Sequence, residues 1–269
     1  MQTHSESVVA VKAARALADL LDREYASVEG FELDLEHNAG ALRRANLSHA
    51  LLHNAMSEVV DGVVGSASTV EGAKSLTEAT IDRVVDRIER GKSEAARNLS
   101  GTFDAGETLM THENSSTVVA ALEGASDRPL SVFVTEARPR FIGRIAARHL
   151  ATVDHVDVTL IVDGAAGHFL REVDRVVIGM NCIVEDTLYN RIGTFPLVAA
   201  ASVLDVPVWV VGTDWKVVED GFAFENELRS PTEVVQEPPE GFAVRNPAYD
   251  ATPLDLIDTV VTERGTWSP

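Results

Sequence analysis

Alternation between short apolar runs and helical segments constrains the fold of this chain more than any other feature. The apolar runs span residues 108–111, 130–135, 156–162, 174–179 and 207–212. The segments between them, with apolar residues at helical spacing, span residues 116–122, 141–150, 165–173 and 192–204. Strands that alternate with helices over short connections pair in parallel, and the helices then cover both faces of the sheet. The pattern predicts an open α/β sheet.

The residues before this alternation have a different pattern. Apolar side chains recur at helical spacing in residues 6–27 and 38–64, and a capping-box sequence at Ser68–Glu71 predicts the start of a third helix. Gly91 is expected to kink or end that helix. We therefore predict an N-terminal helical domain, 1–104, followed by a Rossmann-like domain, 105–269, with a mostly parallel open sheet.

The C-terminal part of the second domain gives two further predictions. Residues 225–245 are rich in Glu and Pro, which is typical of a surface loop. Apolar residues between Pro253 and Glu263 have the spacing of an amphipathic helix that closes the chain.

Charge and composition exclude several classes of protein. The chain has 23 basic and 42 acidic residues and a net charge of -19, so binding to a nucleic-acid backbone is disfavoured. A single cysteine, Cys182, excludes an intrachain disulfide and a cysteine metal cluster. No segment approaches the ~20 apolar residues of a membrane span, and Met1–Ser7 lacks the features of a signal peptide. We expect a cytoplasmic protein that binds neither membrane nor nucleic acid.

An acidic surface with few lysines suits a protein that is soluble in concentrated salt, so we predict a halophilic source. The alternative is an ordinary acidic cytosolic protein.

We predict that removing salt destabilises the fold, because a net charge of -19 then repels itself over a longer distance. The Debye length is about 30 Å at 0.01 M salt and about 3 Å at 1 M. Denaturant midpoints at the two salt concentrations test this prediction, and equal midpoints would show that the acidic surface is incidental.

Polar side chains follow the carboxyl ends of the predicted strands, which share one edge of a parallel sheet. Three of them are cations, namely Arg138, Arg191 and Lys216. Arg191 also precedes the predicted helix at 192–204, and the N–H groups at a helix N-terminus favour anions. Because a guanidinium fork fits a phosphate, these cations predict one phosphate-bearing ligand. The alternative is that each cation pairs with a local carboxylate, such as Glu136, Glu185, Asp186 or Asp214.

Five motifs make the chain recognisable. They are Arg44-Ala-Asn-Leu-Ser-His-Ala-Leu-Leu-His-Asn-Ala55, Thr111-His-Glu-Asn-Ser-Ser116, Val134-Thr-Glu-Ala-Arg-Pro139, Tyr189-Asn-Arg-Ile-Gly-Thr194 and Asn246-Pro-Ala-Tyr-Asp-Ala-Thr-Pro253. In this order they resemble the family that contains the α, β and δ regulatory subunits of translation initiation factor 2B, methylthioribose-1-phosphate isomerase and ribose-1,5-bisphosphate isomerase. The resemblance runs from Arg44 to the C-terminus, and it implies a dimer through the sheet domains or a higher homo-oligomer.

The chain departs from the isomerases of this family at the residues that carry their chemistry. The resemblance implies a catalytic cysteine and a catalytic aspartate at the positions of Glu113 and Asn181. An amide cannot act as a general acid or base, and a carboxylate cannot replace a tuned thiolate. The family's Arg-Gly-Ala phosphate turn is also missing. The positions that match phosphate contacts are retained, and they are Arg44, Arg138, Asn190, Arg191 and Lys216.

The resemblance therefore implies a protein like the α subunit of initiation factor 2B, with a pocket for a sugar phosphate or a nucleoside monophosphate. It implies a possible initiation-factor partner and no isomerase activity. No cofactor is predicted, because no Gly-x-Gly-x-x-Gly motif or Walker loop follows any predicted strand. The alternative is a divergent isomerase of a phosphorylated ribose, in which Glu113 acts as the base.

Other residues have competing interpretations. Cys182 is either a relocated nucleophile or a small buried residue beside the sheet, and the second is favoured. His112 and His168 lack partners at metal-ligand spacing, so structural roles are favoured and no metal site is predicted.

Overall fold

The structure, a computed structural model, describes residues 6–218, 222–237 and 240–269. Within these residues the chain forms two compact units. The first contains residues 6–91 and 222–224, and the second contains residues 92–218 and 225–269 without 238–239. The division into domains at residue 104 stays a prediction. None of the described helices combines the length and apolar character that a membrane span requires.

Residues 6–100 are helical apart from the turns that connect the helices. They are α1 (Glu6–Ala16), α2 (Val28–Arg44), α3 (Ala50–Val63) and α4 (Val70–Ser100). The predicted helix over 6–27 is too long, because the chain turns after a 3-10 segment at Leu17–Leu20 and Ser27 then caps α2 by accepting the N–H of Gly30 at 3.2 Å. Residues 38–64 were predicted to form one long helix or a pair of helices, and the structure has the pair, since α2 ends at Arg44 and α3 begins at Ala50.

The start and end of α4 differ from the sequence prediction. Thr69, and not Ser68, accepts the N–H of Gly72 at 3.1 Å before the first turn. Gly91 does not end the helix, which continues to Ser100, and a kink at Gly91 stays a prediction. A single glycine costs a helix interior only about 1 kcal/mol, which packing of the flanking turns outweighs.

Two sheets organise the rest of the chain. The strands are β1 (Thr108–His112), β2 (Leu130–Thr135), β3 (Val156–Ile161), β4 (Arg175–Gly179), β5 (Cys182–Val184), β6 (Thr187–Arg191), β7 (Val208–Val211), β8 (Val217–Val218), β9 (Tyr249–Pro253), β10 (Thr259–Thr262) and β11 (Gly265–Trp267). The larger sheet has the order β11-β10-β7-β4-β1-β2-β3 and is parallel except for β11, whereas the smaller sheet has the order β8-β5-β6-β9. The predicted Rossmann-like, mostly parallel sheet is confirmed.

Helices cover both faces of the larger sheet, as predicted. The remaining helices are α5 (Ser116–Gly124), α6 (Gly143–Leu150), α7 (Ala166–Phe169) and α8 (Thr194–Val203). The C-terminal turns of α4 share one buried core with α5 and α6, and α7 and α8 share the other with side chains such as Val176 and Ile178. Strands buried on both faces explain why the apolar runs in the sequence are nearly continuous.

Two predictions for this part of the chain are wrong. The loop expected after β4 contains the antiparallel hairpin β5–β6, whose short strands bury Cys182, Ile183 and Leu188. The amphipathic helix expected over residues 253–263 is a 3-10 turn followed by β10, which pairs with β7. Val260 and Val261 are both buried because β10 is covered on both faces, and such a run mimics helical spacing.

Candidate functional site

The strand order reverses between β1 and β4, which are neighbours in the sheet although β2 and β3 lie between them in sequence. Open α/β sheets bind ligands at such a switch point, outside the carboxyl ends of the strands. Glu113 follows β1, in the left-handed region at φ 65°, and the buried Asn181 follows β4. Gly179 ends β4 where a side chain would collide with Ser115, so the two loops pack closely. We call this region, with Glu113, Asn181, Asn190 and Lys216, the strand-end site.

His112 connects three elements beneath the strand-end site. Its ring is buried, with Nε2 2.8 Å from the carbonyl oxygen of Ile192 and Nδ1 2.6 Å from the hydroxyl of Thr135. Because a carbonyl only accepts, Nε2 donates, and in the neutral ring Nδ1 accepts the hydroxyl proton of Thr135. Both ring nitrogens are therefore used in structural hydrogen bonds. Among the described residues, no group of three or more His, Cys, Asp or Glu side chains could hold a metal ion.

Two other polar residues of the strand-end site, Lys216 and Asn190, are held by contacts to the segment after β4 and to the start of α8. Lys216 donates from Nζ to the carbonyl oxygen of Met180 at 2.7 Å. Asn190 is buried and donates to the hydroxyl of Thr194 at 3.1 Å. Cys182 is fully buried in β5, which supports the packing role favoured by the sequence.

A second lysine, which sequence reasoning missed, lies near Lys216. Burial lowers the pKa of Lys92, on α4, the charge of Lys216 lowers it further, and Glu123 opposes the shift.

The N-terminus of α8 is already occupied by a carboxylate. Asp250 accepts the N–H groups of Gly193 at 2.7 Å and Phe195 at 3.0 Å. These two groups therefore do not await a ligand anion, contrary to the expectation drawn from Arg191. Sequence reasoning missed this role of Asp250, although its place in the Asn-Pro-Ala-Tyr-Asp motif was the available signal.

Arginines from three segments surround an open recess beside the end of β6. We define the arginine recess by the side chains of Arg138, Arg140, Arg191, Arg229 and Asn246. Arg138 is exposed and lies over the ring of Phe141 at 4.8 Å, and Arg191 lies over the ring of Tyr249 at 4.7 Å. Sequence reasoning did not identify Arg140 or Arg229. Arg229 lies in a loop, where no periodic pattern indicates the position of a side chain.

Within the second unit, the predicted phosphate contacts are divided between the recess and the strand-end site. Arg138 and Arg191 line the recess, whereas Lys216 is not among the described residues that line it. Arg44 is the last residue of α2 in the first unit. Two carboxylates named as alternative partners pair elsewhere, because Glu136 binds Arg144 at 2.6 Å and Asp214 binds Arg264 at 2.9 Å. That one ligand contacts all these cations stays a prediction.

Comparison with known proteins agrees with this fold. The model of the Initiation factor 2 subunit family matches residues 2–269. Ribose 1,5-bisphosphate isomerase of Haloferax volcanii is 31% identical, over 100% of this chain and 86% of that protein. Translation initiation factor eIF-2B of Pyrococcus horikoshii OT3 superposes with a TM-score of 0.85 at 23% identity, over 100% of this chain and 93% of that one. A chain of the tetrameric eIF2B-beta2-delta2 complex of C. thermophilum superposes with a TM-score of 0.78 at 17% identity. The match covers 99% of this chain and 86% of that one.

Proposed function

Since the chain belongs to the Initiation factor 2 subunit family, we propose that it binds a phosphorylated sugar or nucleotide and does not isomerise it. On this proposal it is a regulatory or assembly protein, similar to the α subunit of initiation factor 2B. The relatives' names alone do not decide between this role and an enzymatic one, because they include both an isomerase and initiation factors.

One observation supports the proposal most strongly. Glu113 and Asn181 follow the two strands of the switch point, which is where the resemblance implies a cysteine and an aspartate. Isomerisation of an aldose requires groups that move a proton or assist a hydride shift. The amide of Asn181 cannot act as a general acid or base, so it cannot take either role. Lys216 and Asn190, which the resemblance assigns to phosphate contacts, are nevertheless present, so groups that can bind a phosphate are retained although the chemistry is lost.

Isomerisation of ribose 1,5-bisphosphate is the second candidate. It is favoured by the Haloferax volcanii isomerase, which resembles this chain over its whole length. In that case the carboxylate of Glu113 would be the base.

We also propose that two copies of the chain associate. Leu197, Val198 and Ala201 of α8 pack under the sheet, while Phe195 and Val203 are 42% and 82% exposed. Phe195 and Val203 are therefore the part of this apolar stretch that the core of a single chain does not cover. An initiation-factor partner and a halophilic source also stay proposals.

Replacing Lys216 with Gln is expected to weaken binding of ribose 5-phosphate by about 10- to 100-fold, because a charge-assisted hydrogen bond contributes about 1.5–3 kcal/mol. Calorimetric titration of the two proteins measures the change. Arg171→Gln is a charge-matched control, since Arg171 is exposed and precedes β4 at the opposite edge of the sheet. Failure of the unmodified protein to bind any of ribose 5-phosphate, ribose 1,5-bisphosphate and AMP would contradict the proposal.

A further inference from the structure

We propose that the outer edge of β3 pairs with β3 of a second copy of this chain, antiparallel and centred on Thr159, so that one sheet runs through both copies. This inference goes beyond the proposed function, because binding of a phosphorylated ligand does not require it. It also concerns a different surface from Phe195 and Val203 of α8.

The edge formed by β3 lacks the devices that usually protect a sheet edge. Among the strands of the described residues, β2 is its only partner, and the two pair over six consecutive positions without a bulge. Residues 156–162 contain neither proline nor lysine, two residues that commonly protect an edge. The edge strand on the other side of the sheet, β11, is only three residues long. β3 is therefore the edge that is better suited to pairing with another chain.

Alternate residues of β3 direct their backbone groups away from β2. Leu130 donates its N–H to the carbonyl oxygen of His155 at 2.8 Å, and Glu136 donates to that of Ile161 at 2.9 Å. In a parallel ladder, the residues between those that bond to the neighbour turn both backbone groups to the other side. The odd-numbered residues of β3 therefore face β2, and the even-numbered residues face outwards.

Two of the outward groups already have partners within the chain. The N–H of Val156 donates to the carbonyl oxygen of Val153 at 3.0 Å. The carbonyl oxygen of Val162 accepts the N–H of Ala165 at 2.9 Å. The described residues offer no strand partner to the other six groups, which are the N–H groups of Val158, Leu160 and Val162 and the carbonyl oxygens of Val156, Val158 and Leu160.

These six groups match themselves in one register. When the Thr159 residues of two antiparallel copies lie opposite each other, the N–H groups of Val158, Leu160 and Val162 meet the carbonyl oxygens of Leu160, Val158 and Val156 in turn. Centring the pair on Val158 or on Leu160 leaves one N–H and one carbonyl oxygen of each copy without a counterpart. Because an unmade hydrogen bond at an interface is costly, the register centred on Thr159 is favoured. The same match favours a second copy over an unrelated strand.

Side chains and charge support the same register. Leu160, which is 45% exposed, comes to lie beside Val158 of the second copy, and Thr159 pairs with Thr159 on the other face. Asp157 is the only charged residue in 156–162 and lies opposite Ile161. The two Asp157 residues are then about 13 Å apart along the strands, well beyond the Debye length of about 3 Å at 1 M salt. In a chain with a net charge of -19, this edge is therefore a place where two copies can approach.

Cross-linking that depends on the register tests the proposal in the full chain at fixed high salt. The Cα atoms of two opposed Thr159 residues would lie about 4.5 Å apart, which is within the range of a disulfide. Thr159→Cys, treated with oxidised glutathione, should therefore form a disulfide-linked dimer. Asp157→Cys is the matched control, because it is also exposed but lies too far from its counterpart, so we expect it to cross-link at least about 10-fold more slowly. The native Cys182 is fully buried and does not compete.

A second pair of variants tests the hydrogen bonds themselves. Leu160→Pro removes an outward N–H and keeps the bonds to β2, since proline is tolerated on an edge strand where its N–H would face solvent. Leu160→Thr is the control, because it retains the N–H. Light scattering should show association at least about 10-fold weaker in Leu160→Pro than in Leu160→Thr. Because α8 is unchanged in both variants, the difference reports on the edge of β3 alone.

Equal cross-linking rates for Thr159→Cys and Asp157→Cys would overturn the proposal. Equal association of Leu160→Pro and Leu160→Thr would also overturn it. If Leu160→Pro does not fold, the comparison of the two cysteine variants still decides. None of these results depends on whether the protein binds or isomerises a phosphorylated sugar.

Discussion

Replacing Arg175 with Met is expected to lower the free energy of unfolding by about 3–5 kcal/mol, because it leaves the largely buried carboxylate of Glu107, whose side chain is 10% exposed, without its cation. Arg175 is 6% exposed and donates to both oxygens of Glu107, at 2.9 and 2.8 Å. It also donates to the carbonyl oxygen of Thr102 at 3.2 Å and lies over the ring of Trp209 at 4.2 Å. Arg175 and Glu107 therefore connect the start of β4 to the start of β1 and to the segment at Thr102. Denaturant unfolding at fixed high salt measures the loss.

An exposed ion pair provides the control for this stability prediction. Arg264 pairs with Asp214 at 2.9 Å, but its side chain is 68% exposed, so Arg264→Met should cost no more than about 1 kcal/mol. Adding Glu107→Gln to Arg175→Met should recover part of the stability, since the unpaired charge is then gone. Equal losses for the buried and the exposed pair would show that burial does not determine the effect.

The second large effect concerns chemistry at the switch point. Joint replacement of Glu113 with Cys and Asn181 with Asp should raise turnover of ribose 1,5-bisphosphate by at least about 100-fold over the unmodified chain. The two changes restore the residue types that the resemblance assigns to the isomerases, and Asn181→Asp preserves the shape of a buried side chain. Product formation is followed by phosphorus NMR.

Single variants complete this experiment. Asn181→Asp alone supplies a carboxyl group without the thiol, so its turnover should remain well below that of the double variant. If the double variant gains nothing, these two positions do not account for the loss of chemistry.

The parallel sheet could be predicted because it follows from local patterns. The apolar runs of β1, β2 and β3 are each followed by a helix, and α8 comes after β4 once the hairpin β5–β6 has intervened, so the alternation indicates parallel pairing. The same logic placed Glu113 and Asn181 at one edge. It failed at β10, because the spacing of apolar residues from Leu254 to Val261 fits a helix as well as a doubly covered strand.

The arginine recess could be predicted only in part. Arg138 and Arg191 follow periodic elements, so their position at the strand ends could be inferred from the sequence. Arg229 could not be placed, because its segment is positioned by hydrogen bonds to the distant Asn246. The role of Asp250 was missed for a similar reason. Its two hydrogen bonds to the start of α8 join residues that are at least 55 positions apart in the sequence.

Incubation of the unmodified protein with ribose 1,5-bisphosphate, followed by phosphorus NMR, tests the central claim most directly. With protein and ligand at comparable concentrations, the same spectra report binding and conversion. The account predicts shifted or broadened ligand signals that indicate binding, with no ribulose 1,5-bisphosphate formed while those signals persist. Rapid appearance of ribulose 1,5-bisphosphate would contradict the account and establish the isomerase alternative.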